Sequence, residues 1–348
     1  MIIKELDKDE YIELSHKFNL HPLQSYAWGE LKRPDWTPLR LGVYNKEDII
    51  SILTILIKSM PFINSKFGYV PRGLALRNLG DLNIVLKEMI NYIRSIKISF
   101  LLSDPDLSFC EWFANSENII KKVVRSYIDA GFIKGGRQEQ PIRSVILDLA
   151  KSEEDILSEM RSKNRQYIRK SVKNGVKIEV GEDKHIENFC EILEEIAKEK
   201  NYVMHEMKYY KNVWENFRKE DKTVMLIAKY KEKTVGAYMI LFSKYCAYEM
   251  FGGCNKDGSN LLANYALKWE SIKYAKNLGK KFYDQWGAEL VHPGLVQFKE
   301  GFGGKIIEYP KQYVYIYNNL AYKTYKFLRK VNNLKVSSKL SPEADKLL

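Results

Sequence analysis

The feature that most constrains this chain is a repeat. The segment RLGVYNKEDIISILTILI aligns with MLIAKYKEKTVGAYMILF, and Leu41 falls on Leu226 at an offset of 185. Each segment reads as two apolar strands around a polar turn, Asn45-Lys46-Glu47-Asp48 in one and Lys231-Glu232-Lys233 in the other. Further along, FLLSDPD aligns with FYDQWGA, with Phe100 on Phe282 at an offset of 182. A nearly constant offset between separate segments points to two copies of one mixed α/β unit. The first copy reads as a helix (7–18), a hairpin (39–44 and 49–57), a strand (68–70), a helix (82–96) and a buried strand (98–102). The second repeats that order: a helix (186–198), a hairpin (224–230 and 234–242), a strand (245–251), a helix closed by Gly279, and a strand (281–286). A chain of 348 residues has room for two such domains. The expected division is 1–150 and 151–317, with a C-terminal helix (about 318–348) joined to the first domain.

This order resembles that of GNAT-type acyltransferase domains. The expected fold class is therefore α/β with mixed sheets, as two tandem GNAT-like domains. Domains of that type hold acetyl-CoA on a (Q/R)xxGx(G/A) loop that opens a helix, where backbone N–H groups meet the pyrophosphate. The chain has no full match. Arg77-Asn78-Leu79-Gly80 comes nearest and fails at Leu82. An acyl donor other than acetyl-CoA is expected, with no cofactor.

Formal net charge is +12, which favours a polyanionic partner or reflects a generally basic proteome. The charge is concentrated. Residues 155–174, DILSEMRSKNRQYIRKSVKN, read as one helix capped by Ser152, led by Glu153, Glu154 and Asp155, and closed by Gly175. Arg161, Arg165, Arg169 and Lys173 recur every four residues along it, and no acid intervenes between Glu159 and Glu179. Like charges at that spacing repel, so the stripe is expected to meet phosphates rather than only solvent. A second basic segment, 320–339, carries Lys323, Lys326, Arg329, Lys330, Lys335 and Lys339 without an acid. Its apolar side would be Leu320, Leu328, Val331 and Leu334. It reads as a helix docked on the first domain, with contact to a membrane surface or nucleic acid as the alternative.

Four cysteines without CxxC spacing and five scattered histidines argue against a zinc site and suit a reducing cytoplasm. The N-terminus lacks an apolar core, and the longest apolar run (49–57) is too short to span a bilayer. The expectation is a cytoplasmic protein, soluble or peripheral at the membrane. The stretch 260–304 closes the second copy. Its helix presents Leu261, Leu262, Tyr265, Ala266, Trp269, Ile272 and Ala275 on one face. A loop (288–297) then delivers Phe298 and Lys299 beside Gly301, Gly303 and Gly304, either as a place for close ligand approach or as an ordinary tight turn.

Taken in order, HPLQSYAWGELK, YVPRG, SVILDLAKSEEDILSEMRSKNRQYIRKSVKNGV, LLANYALKWESIKYAKNLGKKFYDQWGA and GLVQFKEGFGGKIIEYP resemble the FemABX family of peptidoglycan bridge-forming aminoacyltransferases, over residues 20–318. The resemblance implies two GNAT-like domains and a reaction. Aminoacyl-tRNA is the donor. An amine of a muramyl-peptide precursor, lipid II or its UDP-linked form, is the acceptor, with peripheral contact at the inner membrane surface. The family's coiled-coil arm is absent, since no heptads are sustained.

By that resemblance, Lys299 and Phe298 match the aromatic–lysine pair at the reacting centre. Lys32 matches the lysine at the precursor's diphosphate, and Trp28, Arg72 and Tyr209 fall in the substrate-binding motifs. His205 stands where the family pattern has an arginine, and Phe251 where it often has a tyrosine. Arg161, Arg165, Arg169 and Lys173 would bind tRNA. The His205 departure leaves open an aminoacyl-tRNA-dependent transferase acting on a lipid headgroup or protein amine. A non-catalytic tRNA- or membrane-binding relative is the other alternative.

Overall fold

The computed structural model describes residues 1–61, 63–106, 116–136, 138–201, 203–290 and 293–337. The chain begins with β1 (Ile2–Glu5), α1 (Lys8–Ser15), α2 (Tyr26–Lys32), β2 (Thr37–Asn45), β3 (Asp48–Ser59), β4 (Lys66–Gly73) and β5 (Ala75–Leu76). Next come α3 (Leu82–Ser95), β6 (Phe100–Pro105), α4 (Ser116–Asp129), β7 (Ile133–Lys134) and β8 (Arg143–Asp148). The middle holds α5 (Glu153–Glu159), α6 (Ser162–Lys173), β9 (Lys177–Val180), α7 (Ile186–Lys200), α8 (Met207–Arg218), β10 (Thr223–Tyr230), β11 (Lys233–Phe242) and β12 (Cys246–Cys254). It ends with α9 (Lys256–Asn260), α10 (Ala263–Asn277), β13 (Phe282–Asp284), α11 (Pro293–Glu300), β14 (Lys305–Glu308), β15 (Tyr313–Ile316) and α12 (Asn319–Ser337).

Contacts divide the chain into two compact units. Among the described residues, one comprises 1–142 and 308–337, the other 143–307. In the first unit the strand order is β1-β2-β3-β4-β6-β15-β7, with β5 against β3. In the second it is β9-β10-β11-β12-β13-β8-β14. The correspondence is position by position. In both sheets an antiparallel hairpin leads to a strand that crosses over through helix into a parallel neighbour. That crossover is β4 to β6 by way of α3 in the first unit and β12 to β13 by way of α9 and α10 in the second. The helices form because apolar residues recur at helical spacing: Leu82, Val85, Leu86, Met89, Ile90 and Ile93 of α3 are all buried.

The antiparallel strand beside the crossover pair in each sheet comes from elsewhere in the chain than the repeat suggests. β8 directly follows β7 in sequence, yet it pairs with β13, Leu147 opposite Tyr283. β15 follows β14 and pairs with β6 and β7.

Three local readings change. The single basic helix expected over 155–174 is two helices, broken where Met160 and Arg161 are extended, with ψ 147 and 139. Met160 is buried there, and the Arg161 N–H donates to Gly301 O at 2.9 Å, so tertiary contacts outweigh helical continuity. The expected loop 288–297 contains the start of α11, with Pro293 at its first position, where the missing N–H costs nothing. Residues 291 and 292 of that loop lie outside the described residues, as do 338–348 of the C-terminal segment. On α12, Leu320 is not on the buried side. Ala321 and Tyr322 are, and the Tyr325 ring packs at a tilt against Phe67 and Phe100. No helix among the described residues is long and apolar enough to cross a membrane.

Candidate active site in the second unit

Parallel pairing of β12 with β13 covers only Cys246–Tyr248 against Phe282–Asp284. Beyond this β12 continues to Cys254 against β11, while the chain after Asp284 turns away at Trp286 (φ 45) and Gly287 (φ 67). The edge of β12 from Glu249 onward therefore loses its parallel neighbour. A bulge at this point sets Met239 opposite Phe251 and Ile240 opposite Glu249, with Met250 as the extra residue. Bulges of this kind re-aim side chains.

The opening is lined by buried charge. Lys299, on the last turn of α11, is 6% exposed, and its Nζ donates to the carbonyls of Trp286 and Gly287. Those carbonyls are available because the turn after β13 makes no ladder with β12. Lys268 of α10 is fully buried and donates to Glu249 Oε1 at 2.6 Å. Tyr283 Oη donates to Glu249 Oε2 at 2.6 Å, so both carboxylate oxygens are occupied. The rings of Tyr238, Phe298 and Phe302 lie 5.4, 5.6 and 5.9 Å from Lys268 Nζ, within cation–π range. Asp284 accepts from Ser144 Oγ and from the Trp286 N–H, which fixes the turn. Gln285 Nε2 donates to Lys299 O at 3.0 Å, tying that turn to the end of α11.

Burial, then the like charge of Lys268, brings the Lys299 ammonium down to about 8, against the opposing pull of Glu249 and Asp284. Burial likewise lowers Lys268, with Glu249 opposing. Desolvation disfavours the charged form in both cases. Two of the glycines after Lys299 are packed closely against neighbouring segments. A side chain at Gly301 would meet the Asn164 amide at 2.5 Å. One at Gly304 (φ 92) would meet the Ile146 carbonyl at 2.5 Å.

The other expected residues fall into separate groups. His205 stacks on Tyr209 with ring centroids 4.1 Å apart, and Phe251 stands edge-on to Tyr209 at 6.2 Å. These three form one aromatic cluster at the start of α8 and on β12. In the first unit, Lys32 lies over the Trp28 ring at 4.6 Å, and burial brings it down to about 8. Arg72 is buried, with φ 46, its guanidinium 3.8 Å from the Tyr309 ring centroid and donating to Pro141 O.

The basic stripe is divided. Arg161 pairs with Glu300 at 3.2 Å. Arg165 donates to the carbonyls of Leu157, Ser158 and Met160, closing the end of α5. Arg169 and Lys173 stand exposed.

Glu249, Lys268 and Tyr283 are functional candidates that sequence reasoning missed. Lys268 left a signal, since it lies three residues after Tyr265 and four before Ile272 and so falls on the buried face of α10. Glu249 and Tyr283 left none.

The model of the FemAB family matches residues 6–234 and 220–330. The chain is 21% identical over 397 aligned positions to a lipid II:glycine glycyltransferase of Staphylococcus haemolyticus (strain JCSC1435), covering 92% of this chain and 94% of that one. The crystal structure of FemX superposes with a TM-score of 0.81 at 16% identity, covering 93% of this chain and 99% of FemX. A tandem GNAT protein from the clavulanic acid biosynthesis pathway superposes with a TM-score of 0.51 at 11% identity, over 90% of this chain and 98% of that one. The fold is that of two tandem GNAT-like domains, and the chain is a transferase.

Proposed function

Because the chain belongs to the FemAB family, we propose that it moves an aminoacyl group from aminoacyl-tRNA to an amine of a muramyl-peptide precursor, lipid-linked or UDP-linked, in building the peptidoglycan cross-bridge. The observation that carries this reading is Lys299, a buried ammonium held at the point where β12 and β13 part.

The reaction makes one C–N bond and breaks one C–O bond. The neutral acceptor amine attacks the ester carbonyl, and the carbonyl oxygen becomes an oxyanion. Collapse expels the ribose oxygen, which takes up the proton the amine gives up. An ammonium carries three N–H donors. Two of those on Lys299 go to the carbonyls of Trp286 and Gly287, and the third has no partner among the described residues. That third donor, in a site closed to water, suits a developing oxyanion. The two fixed carbonyls hold the ammonium in place before substrate arrives, so little reorganisation is needed. Lys268 is already paired with Glu249 and acts on Lys299 through its charge.

In the second unit, acceptor binding is assigned to the His205–Tyr209–Phe251 cluster and tRNA contact to Arg169 and Lys173. In the first unit, Trp28, Lys32 and Arg72 are assigned precursor contact by the family pattern. The test is to incubate the purified protein with charged tRNAs and either lipid II or its UDP-linked precursor. A peptide product extended by one residue supports the reading. Absence of product with every common small aminoacyl-tRNA contradicts it. His205, in place of an arginine, favours a second reading in which the acceptor is a lipid headgroup or protein amine. Offering those acceptors beside the muramyl peptide separates the two.

A further inference from the structure

We infer that the outward face of α12 docks on an anionic lipid surface. The inner face of this helix is committed: Ala321 and Tyr322 are buried, the Tyr325 ring packs at a tilt against Phe67 and Phe100, and Arg329 pairs with Glu139. On the opposite face Leu320 is 75% exposed and Phe327 66% exposed. Seven residues apart, they share one side of the helix and sit about 10 Å apart along its axis. Lys323, Lys326 and Lys330, all exposed, fall at successive angles along one flank of that apolar strip. The described side chains from Asn319 to Val331 include no acid.

Two bare apolar side chains beside a run of lysines describe an interfacial helix. Leucine and phenylalanine enter the boundary between headgroups and acyl chains, while lysine stems reach back to the phosphates. The charge is complementary to anionic lipid, and among the described residues Lys323, Lys326 and Lys330 form no ion pair. Nucleic acid would use the lysines but leave Leu320 and Phe327 in water, so it accounts for half of the face. The contact goes beyond the transfer reaction and does not depend on it.

The test uses the full chain and two kinds of vesicle, phosphatidylcholine alone and phosphatidylcholine mixed with phosphatidylglycerol. Co-sedimentation is expected with the mixed vesicles, weakened roughly tenfold or more on pure phosphatidylcholine. The double variant Leu320→Glu/Phe327→Glu is expected to lose vesicle binding by a similar factor, with unchanged far-UV circular dichroism and melting temperature. Its turnover on a water-soluble UDP-linked acceptor should equal wild type, which keeps this test apart from the transfer reaction. In a Phe327→Trp variant, tryptophan emission should shift to the blue when mixed vesicles are added. Equal binding of wild type and double variant to mixed vesicles overturns the inference. So does loss of tRNA binding in the double variant with vesicle binding intact, which would make this face a nucleic-acid site. An unshifted emission spectrum of the Phe327→Trp variant in the presence of bound vesicles also overturns it.

Discussion

Lys268 Nζ lies 2.6 Å from Glu249 Oε1 in a place almost closed to water, their side chains 0% and 8% exposed. After burial itself, these two charges act on Lys299 in opposite directions. Lys268 alone would drive Lys299 further toward neutrality, and Glu249 holds it back.

Removing one partner of this pair should cost more than removing both. Lys268→Met leaves a buried carboxylate with only Tyr283 to satisfy it, and such breaks cost about 3–5 kcal/mol. The double variant Lys268→Met/Glu249→Gln should recover at least half of that loss. Urea unfolding of the four proteins in the cycle measures the coupling directly.

Stability should rise with pH in a window set by Lys299. Its folded value of about 8 lies below the ordinary lysine value of 10.5. Between these values the unfolded chain binds more protons than the folded one, so unfolding free energy increases with pH. Full burial makes the rise at most about 3 kcal/mol from this group. Lys32 contributes in the same direction, discounted for its partial exposure. Comparing wild type with Lys299→Met across pH 8 to 10.5 isolates the Lys299 share, which the variant should lack.

The divided basic stripe gives opposite expectations for its two ends. Arg165→Ala removes donors to three carbonyls at the end of α5 and should lower stability by about 1–2 kcal/mol. Arg169→Ala and Lys173→Ala should leave the melting temperature unchanged. Each should weaken tRNA binding and reduce the slope of log affinity against log salt by about one. Thermal unfolding and a salt titration of binding read the two effects separately.

How much of this was legible in the sequence follows from which forces are local. The hairpins and their helices announce themselves through apolar periodicity. Helix ends at Gly175 and Gly279 are legible because both hold positive φ, which glycine adopts without strain. The break at Met160 was hidden, since nothing in MRSKNR interrupts a helix. It exists because Gly301 O takes the Arg161 N–H from a distant segment. The pairing of β8 with β13 was hidden for the same reason: a strand's sequence does not name its neighbour. The expectation at Lys299 came from family resemblance, and its glycines read either as a place of ligand approach or as a tight turn. Their actual neighbours, Asn164 and Ile146, are long-range contacts that no local pattern encodes.

The central claim is that transfer depends on the Lys299 ammonium. The most direct test measures single-turnover transfer from aminoacyl-tRNA to the muramyl acceptor by wild type and Lys299→Met, each verified as folded. Loss of a preorganised oxyanion donor typically costs about a hundred- to a thousandfold in rate. The account predicts a loss of at least that size, and a wild-type contribution from Lys299 that falls as pH rises through about 8 and the ammonium loses its proton. Turnover by Lys299→Met within a few-fold of wild type would contradict it.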